Sequence, residues 1–280
     1  MTQVQNVPTL RLNDGREIPQ LGFGVFQVPP AETEAAVTRA LEVGYRHIDT
    51  AAAYRNEAGV ARAIAAVGLD RSEVFITTKL FNDDHGREQA QRAFAASLER
   101  LETDYVDLYL IHWPVPSEDR YVETWQALEE VHREGRARSI GVSNFNLEHL
   151  ERLGHETGTL PAVNQVELHP YLAQRELRAY QRDHGIATEA WSPIGQGGDV
   201  LDDPAIGAIA ESHDRSPAQA IIRWHLQSGN IVIPKSVTPD RIAENFRAFD
   251  FELSDAEMAQ IDGLDRGERL GPDPATFVRP

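Results

Sequence analysis

The chain has 280 residues, 41% of them apolar, and sets 27 Lys plus Arg against 44 Asp plus Glu for a formal charge of −17 at pH 7. That length can bury a sizeable core, while nucleic acid and anionic membranes would repel that charge, so neither is expected as a partner. The absence of cysteine excludes disulfides, thiolate metal sites and cysteine nucleophiles together.

Met1 to Leu10 lacks a basic start followed by an apolar core, and no run approaches the ~18 apolar residues of a spanning helix, which predicts a soluble, cytoplasmic protein. The first element is a hairpin, Thr9 to Asn13 with Arg16 to Pro19, around Asp14-Gly15, a pair suited to a tight turn. Periodicity then predicts strand Leu21 to Val25 and helix Ala31 to Glu42, strand Tyr45 to Asp49 and helix Glu57 to Val67. Strand Val74 to Lys79 precedes helix Glu88 to Leu101, and strand Val106 to His112 precedes helix Val122 to Arg133. Ser139 to Val142 with Leu147 to Leu153, and Ala162 to Glu167 with Gln174 to His184, continue the alternation. Ile186 to Trp191 leads through a Gly-rich loop to helices Pro204 to Ser212 and Pro217 to Gln227. Ile231 to Pro234 is the last strand, followed by helix Pro239 to Phe249 and an extra helix, Glu257 to Leu264. Ser216-Pro217 and Thr238-Pro239 each place a capping hydroxyl before a proline at the first helical position.

Eight strands, each followed by helix, predict an α/β fold: a (β/α)8 TIM barrel with an N-terminal β-hairpin, extra helices and a C-terminal loop, a single domain over 1–280. A doubly wound sheet also alternates, but its fingerprint is missing: Gly22-Phe23-Gly24 continues as VFQVPP, without a third glycine. The polar, proline-punctuated tail from Asp265 to Pro280 is expected to cross a face of the barrel.

Barrel chemistry lies at the carboxyl ends of the strands. There stand Asp49, Lys79 and His112 on strands two to four, then Ser143 and Asn144, Gln165 and Glu167, Trp191 and Ser192, and Lys235 and Ser236. Singly, Asp49 also reads as a helix cap, Lys79 as a snorkelling cation, His112 as a core histidine, and Gln165 and Asn144 as partners for loop backbone. Together, Asp, Lys and His on successive strands would face one another. An ammonium anchored by a carboxylate can lower the pKa of a neighbouring phenol, and Tyr54 lies five residues beyond Asp49. No HExxH or GxSxG motif competes, and no metal site is expected.

At these residues the sequence resembles the aldo-keto reductase superfamily over essentially its whole length. The matching segments are GYRHIDTAAAYRNE (44–57), ITTKL (76–80), DLYLIHWP (107–114), RSIGVSNF (138–145), PAVNQVELHP (161–170) and IPKSVTPDRIAENF (233–246). Within the family the opening LGFGVFQVPP, Trp191 and the SPIGQG loop are most similar to the bacterial 2,5-diketo-D-gluconate reductases.

The resemblance implies an NADP-dependent oxidoreductase, reducing a carbonyl with NADPH, in which Asp49, Tyr54, Lys79 and His112 form a catalytic tetrad and Tyr54 protonates the carbonyl oxygen. It implies that Ser143, Asn144 and Gln165 hold the carboxamide of NADPH (NADP+) and that Trp191, a tyrosine in many relatives, stacks on the nicotinamide. Ser192, Ile194 and Gln196 would follow the pyrophosphate, while Lys235, Ser236, Val237, Arg241, Glu244 and Asn245 would surround the adenosine half. Phe26, Phe81, Trp113 and His112 would meet the substrate, a small-molecule carbonyl compound, with Asn82 and Arg279 as further polar contacts. The partner expected is that small molecule alone, with the protein a monomer. A different class of function, an NADPH-binding redox-sensing module without turnover, is the alternative. Arg55 stands where relatives usually have glycine, directly after Tyr54.

Overall fold

The structure, a computed structural model, describes residues 7–277. Thr9–Arg11 (β1) and Glu17–Pro19 (β2) pair antiparallel, with Gly15 at a φ of 86° in the turn. Leu12 and Ile18 of this hairpin are buried against Leu108, Leu110, Val163 and Ile231, so the hairpin stoppers the amino end of the barrel.

The barrel strands are Phe23–Gly24 (β3), His47–Asp49 (β4), Phe75–Leu80 (β5), Val106–Ile111 (β6), Ala137–Ser143 (β7), Val163–Glu167 (β8), Ala187–Trp191 (β9) and Ile231–Val232 (β10). They pair in parallel and in chain order. Closure comes from main-chain bonds: Gly22 N–H donates to the Val232 carbonyl and Val232 N–H to that of Gln20, each at 2.9 Å. The backbones meet so closely that a Cβ on Gly24 would stand 2.9 Å from the Ile233 carbonyl oxygen.

The outer ring comprises Pro30–Val43 (α1), Glu57–Val67 (α2), Arg87–Arg100 (α3), Tyr121–Arg133 (α4), Leu147–Thr157 (α5), Arg175–Asp183 (α6), Pro204–Ser212 (α7), Pro217–Gln227 (α8), Pro239–Phe246 (α9) and Asp255–Asp262 (α10). Phe23, Tyr45 and Phe246 stack in sequence, with centroids 5.6 and 4.9 Å apart, tying the first strand to the last barrel helix.

Two local expectations are corrected. Ser216 caps α8 by accepting from Gln219 N–H, but Thr238 makes no side-chain cap on α9. Its backbone N–H instead donates to Ser236 Oγ at 3.1 Å, forming a local turn. Helix α9 also stops at Phe246 rather than Phe249. Gln219 Nε2 reaches across from α8 to the carbonyls of Glu244 and Arg247, at 3.1 and 2.9 Å, satisfying groups that a longer helix would have used itself.

Gly24→Ala is expected to cost about 1–3 kcal/mol, because backbone cannot swing away as a side chain can. The check is the urea midpoint, which should fall with an unchanged slope.

Candidate active site

Asp49 ends β4 and Lys79 is the next-to-last residue of β5. The pair meets inside the rim, where Lys79 Nζ donates to Asp49 Oδ1 at 2.6 Å and to the Thr50 carbonyl at 2.9 Å, both side chains buried. Lys79 therefore does not snorkel, and Asp49 is not a helix cap. Thr50 Oγ1 donates to Asn56 Oδ1 at 2.8 Å, while Asn56 Nδ2 donates to the carbonyls of Val25 and Val28. This ties the short 3-10 turn Ala52–Tyr54 to the neighbouring loop.

The turn places Tyr54 with its ring centroid 5.2 Å from Lys79 Nζ and 5.6 Å from the His112 ring. Burial raises the Tyr54 pKa; Lys79 pulls it down, and Asp49 and Glu189 push it up. The expected lowering is thus present as the Lys79 contribution, but the net shift is upward because desolvation outweighs it. Burial would lower Lys79 too, yet Asp49 and Tyr54 reverse that and leave its pKa raised. His112 is driven down to about 3, by burial first and then by Lys79, and is neutral at pH 7. Its Nδ1 has no hydrogen-bond partner among the described residues.

Across the rim, Gln165 Nε2 donates to Asp49 Oδ2 at 2.8 Å and to Glu189 Oε2 at 2.9 Å. Both amide hydrogens are consumed, so Oε1 is the end left for a ligand. Ser143 Oγ donates to the Gln165 carbonyl at 2.9 Å. Asn144, at a φ of 63°, donates from Nδ2 to the His112 carbonyl and accepts from Trp191 Nε1 at 2.8 Å. Asn144 thereby fixes the edge of the Trp191 indole.

Glu189 is a buried carboxyl that the strand-end survey missed, since it sits two residues below Trp191. An acidic residue inside the apolar stretch ATEAW was the available signal. Burial, then the Asp49 charge, pushes Glu189 up to about 8. His47 Nε2 lies 3.6 Å away but is itself pushed down to about 3, chiefly by burial, and carries no compensating charge.

Beyond β9, Ser192 and Gln196 hold left-handed backbone at φ 49° and 55°, linked by a 3.3 Å bond from Gln196 Nε2 to Ser192 Oγ. Ile194 is half-buried against the core beside them. After β10, Lys235 and Ser236 are half-buried, and Val237 and Arg241 are exposed. Among the described residues neither Lys235 nor Arg241 forms an ion pair, so the pairing of Arg241 with Glu244 that the helical spacing allows is not made. Asn245 is buried and Glu244 half-buried.

Phe26 is 44% exposed with its ring 5.2 Å from Tyr54, so it lies outside the core and beside Tyr54. Phe81 is half-buried and Asn82 buried just past β5. Trp113 packs on Phe277 of the tail at 4.4 Å. Arg279 lies outside the described residues. Arg55 is exposed at a φ of 56°, a left-handed conformation that glycine adopts without strain.

Residues 20–266 match the Aldo/keto reductase family. The chain belongs to that family. It is 58% identical over 270 residues to an aldo-keto reductase of Mycolicibacterium smegmatis, covering 96% of this chain and 98% of the relative. It is 53% identical over 273 residues to the methylglyoxal reductase DkgA of Escherichia coli strain K12, covering 97% and 98%. Among solved structures, a mutant of Gox0644 in complex with NADPH superposes with a TM-score of 0.94 at 49% identity, over 98% of this chain and 100% of that one. An aldo/keto reductase from Brucella melitensis superposes at 0.90 with 55% identity, over 93% and 100%. Aldo/keto reductase membership and the neighbouring barrels agree with the eight-stranded architecture described above.

Because the folded state holds the Glu189 proton more tightly than the unfolded state, the stability it contributes is full below pH 4.5 and is lost as pH rises toward about 8. Glu189→Gln stays neutral throughout, so its melting temperature should gain on the wild type across that window. A gap that does not widen with pH contradicts this.

Proposed function

We propose that the chain reduces an aldehyde or ketone to the alcohol with NADPH, using Tyr54 as proton donor, Lys79 and Asp49 to tune it, and His112 to orient the carbonyl. Family membership makes it an NADP-dependent oxidoreductase. The observation that carries the residue roles is the buried Lys79–Asp49 pair beside Tyr54 and a neutral His112.

The chain's own groups fit the cofactor. Lys235 and Arg241 offer two cations with no ion pair among the described residues, and α9 begins without a side-chain cap, leaving its first amides for a phosphate. Gln165 Oε1 is free to accept from a carboxamide. Trp191, held by Asn144, would stack on the ring, while Ser143 and Asn144 would border the carboxamide. Ser192, Ile194 and Gln196 would follow the pyrophosphate, and Ser236, Val237, Glu244 and Asn245 would line the adenosine half. Bound NADPH supplies the hydride.

As negative charge grows on the carbonyl oxygen, Tyr54 transfers its hydroxyl proton there, and the Lys79 ammonium stabilises the tyrosinate left behind. Asp49 keeps Lys79 in place. Neutral His112 hydrogen-bonds the same oxygen without competing as an acid, because its pKa lies near 3. Phe26, Phe81 and Trp113 would form the apolar walls around the substrate. Dicarbonyls are the substrate class put forward, on likeness to the methylglyoxal reductase of Escherichia coli. Methylglyoxal, aromatic aldehydes and 2,5-diketo-D-gluconate form the discriminating panel.

Tyr54→Phe should lower kcat by about 10²–10⁴ with NADPH binding retained. NADPH consumption at 340 nm measures it, and intact turnover contradicts the assignment. Arg241→Ala should weaken NADPH several-fold and leave NADH unchanged. Equal loss for both cofactors, or equal wild-type kcat/KM for both, contradicts the phosphate assignment.

A further inference from the structure

Glu167, at the end of β8, takes no part in the chemistry above, yet it is a fully buried carboxylate. Its Oε1 accepts from Leu270 N–H at 2.5 Å and from His169 Nε2 at 3.0 Å, and its Oε2 accepts from Gly271 N–H at 2.9 Å. Two consecutive tail amides on one carboxylate make a clamp. Arg269 Nη1 stands 3.8 Å away, completing the charge balance.

The clamp lies against the cofactor side of the rim. Glu167 and Trp191 are register partners on β8 and β9. A Cβ on Gly271 would fall 2.5 Å from Trp191 Cη2 and 3.1 Å from Glu167 Oε2, so the tail backbone presses directly on the indole. Six residues on, Phe277 packs against Trp113 at 4.4 Å, on the substrate side. One strap thus touches the wall proposed for each ligand, with Glu167 fixing its height.

We infer that Glu167 is a positioning residue which, by clamping the tail at Leu270 and Gly271, seats Trp191 and couples carbonyl binding at Trp113 to retention of the nicotinamide. This rests on the proposed stacking of Trp191. Only glycine fits at 271 because any side chain would enter the indole ring or lift the strap. The carboxylate is needed because a single amide oxygen cannot serve both N–H groups and His169 as well. Consistent with that, the bonds from His169, Leu270 and Gly271 hold the Glu167 carboxyl below its usual range despite burial.

The test uses the full chain and a double-mutant cycle. Gly271→Ala and Glu167→Gln should each raise the NADPH dissociation constant about five- to tenfold and speed NADP+ release, a typical size for coupling between sites. Substrate KM should rise with them, while hydride transfer in a single turnover at saturation is kept. In a Trp191→Ala background, which itself weakens NADPH, Gly271→Ala should add nothing. If Trp191→Ala leaves NADPH affinity unchanged, the stacking reading fails and the coupling with it. If Trp191→Ala weakens binding but the tail variants, folded by circular dichroism, keep wild-type NADP+ release, or if the effects simply add, the coupling alone is overturned.

Discussion

A buried ammonium cannot be left unsatisfied, and the requirements of Lys79 organise the whole rim. Removing one partner of such a pair costs about 3–5 kcal/mol, because the remaining charge stays buried alone. Its carboxylate comes from the adjacent strand and its carbonyl from Thr50, so β4 and β5 must keep their register. The turn after Thr50 then delivers Tyr54, and Asn56 locks that turn to the loop carrying Phe26. Gln165 completes Asp49 from the opposite side and spends its second hydrogen on Glu189. The arrangement of Asp49, Tyr54 and Gln165 around the rim follows from satisfying one cation.

The same logic reconciles a strongly acidic protein with a polyanionic cofactor. The excess of carboxylates lies over the molecule as a whole, whereas Lys235, Arg241 and the uncapped start of α9 would supply positive charge locally. Most other arginines are bound to their own carboxylates, as Arg71 and Arg138 both are to Asp107.

Architecture was legible in the sequence because each βα unit carries its own periodicity, and α2, α7 and α8 fall on the residues predicted. The grouping of Asp49, Lys79 and His112 was legible because polar residues collect at the strand ends of a barrel, with Tyr54 on the turn just beyond. What escaped was non-local. Helix α9 ends early because Gln219, on another helix, takes its carbonyls. Glu189 was missed because it points into the barrel below the rim, and its shifted pKa depends on Asp49, distant in sequence. The direction of the Tyr54 shift turned on the extent of burial, which spacing does not report. The clamp of Glu167 on the tail spans more than a hundred residues and involves backbone amides that no motif marks.

In the proposed reaction Lys79 acts on the proton held by Tyr54 rather than on cofactor binding. The direct measurement is single-turnover reduction by Lys79→Met loaded with saturating NADPH, followed across pH alongside cofactor affinity. Hydride transfer should slow by about 10²–10⁴ with NADPH affinity within a few-fold of wild type. Transfer at the wild-type rate in a folded variant, or a loss confined to NADPH affinity, would contradict it.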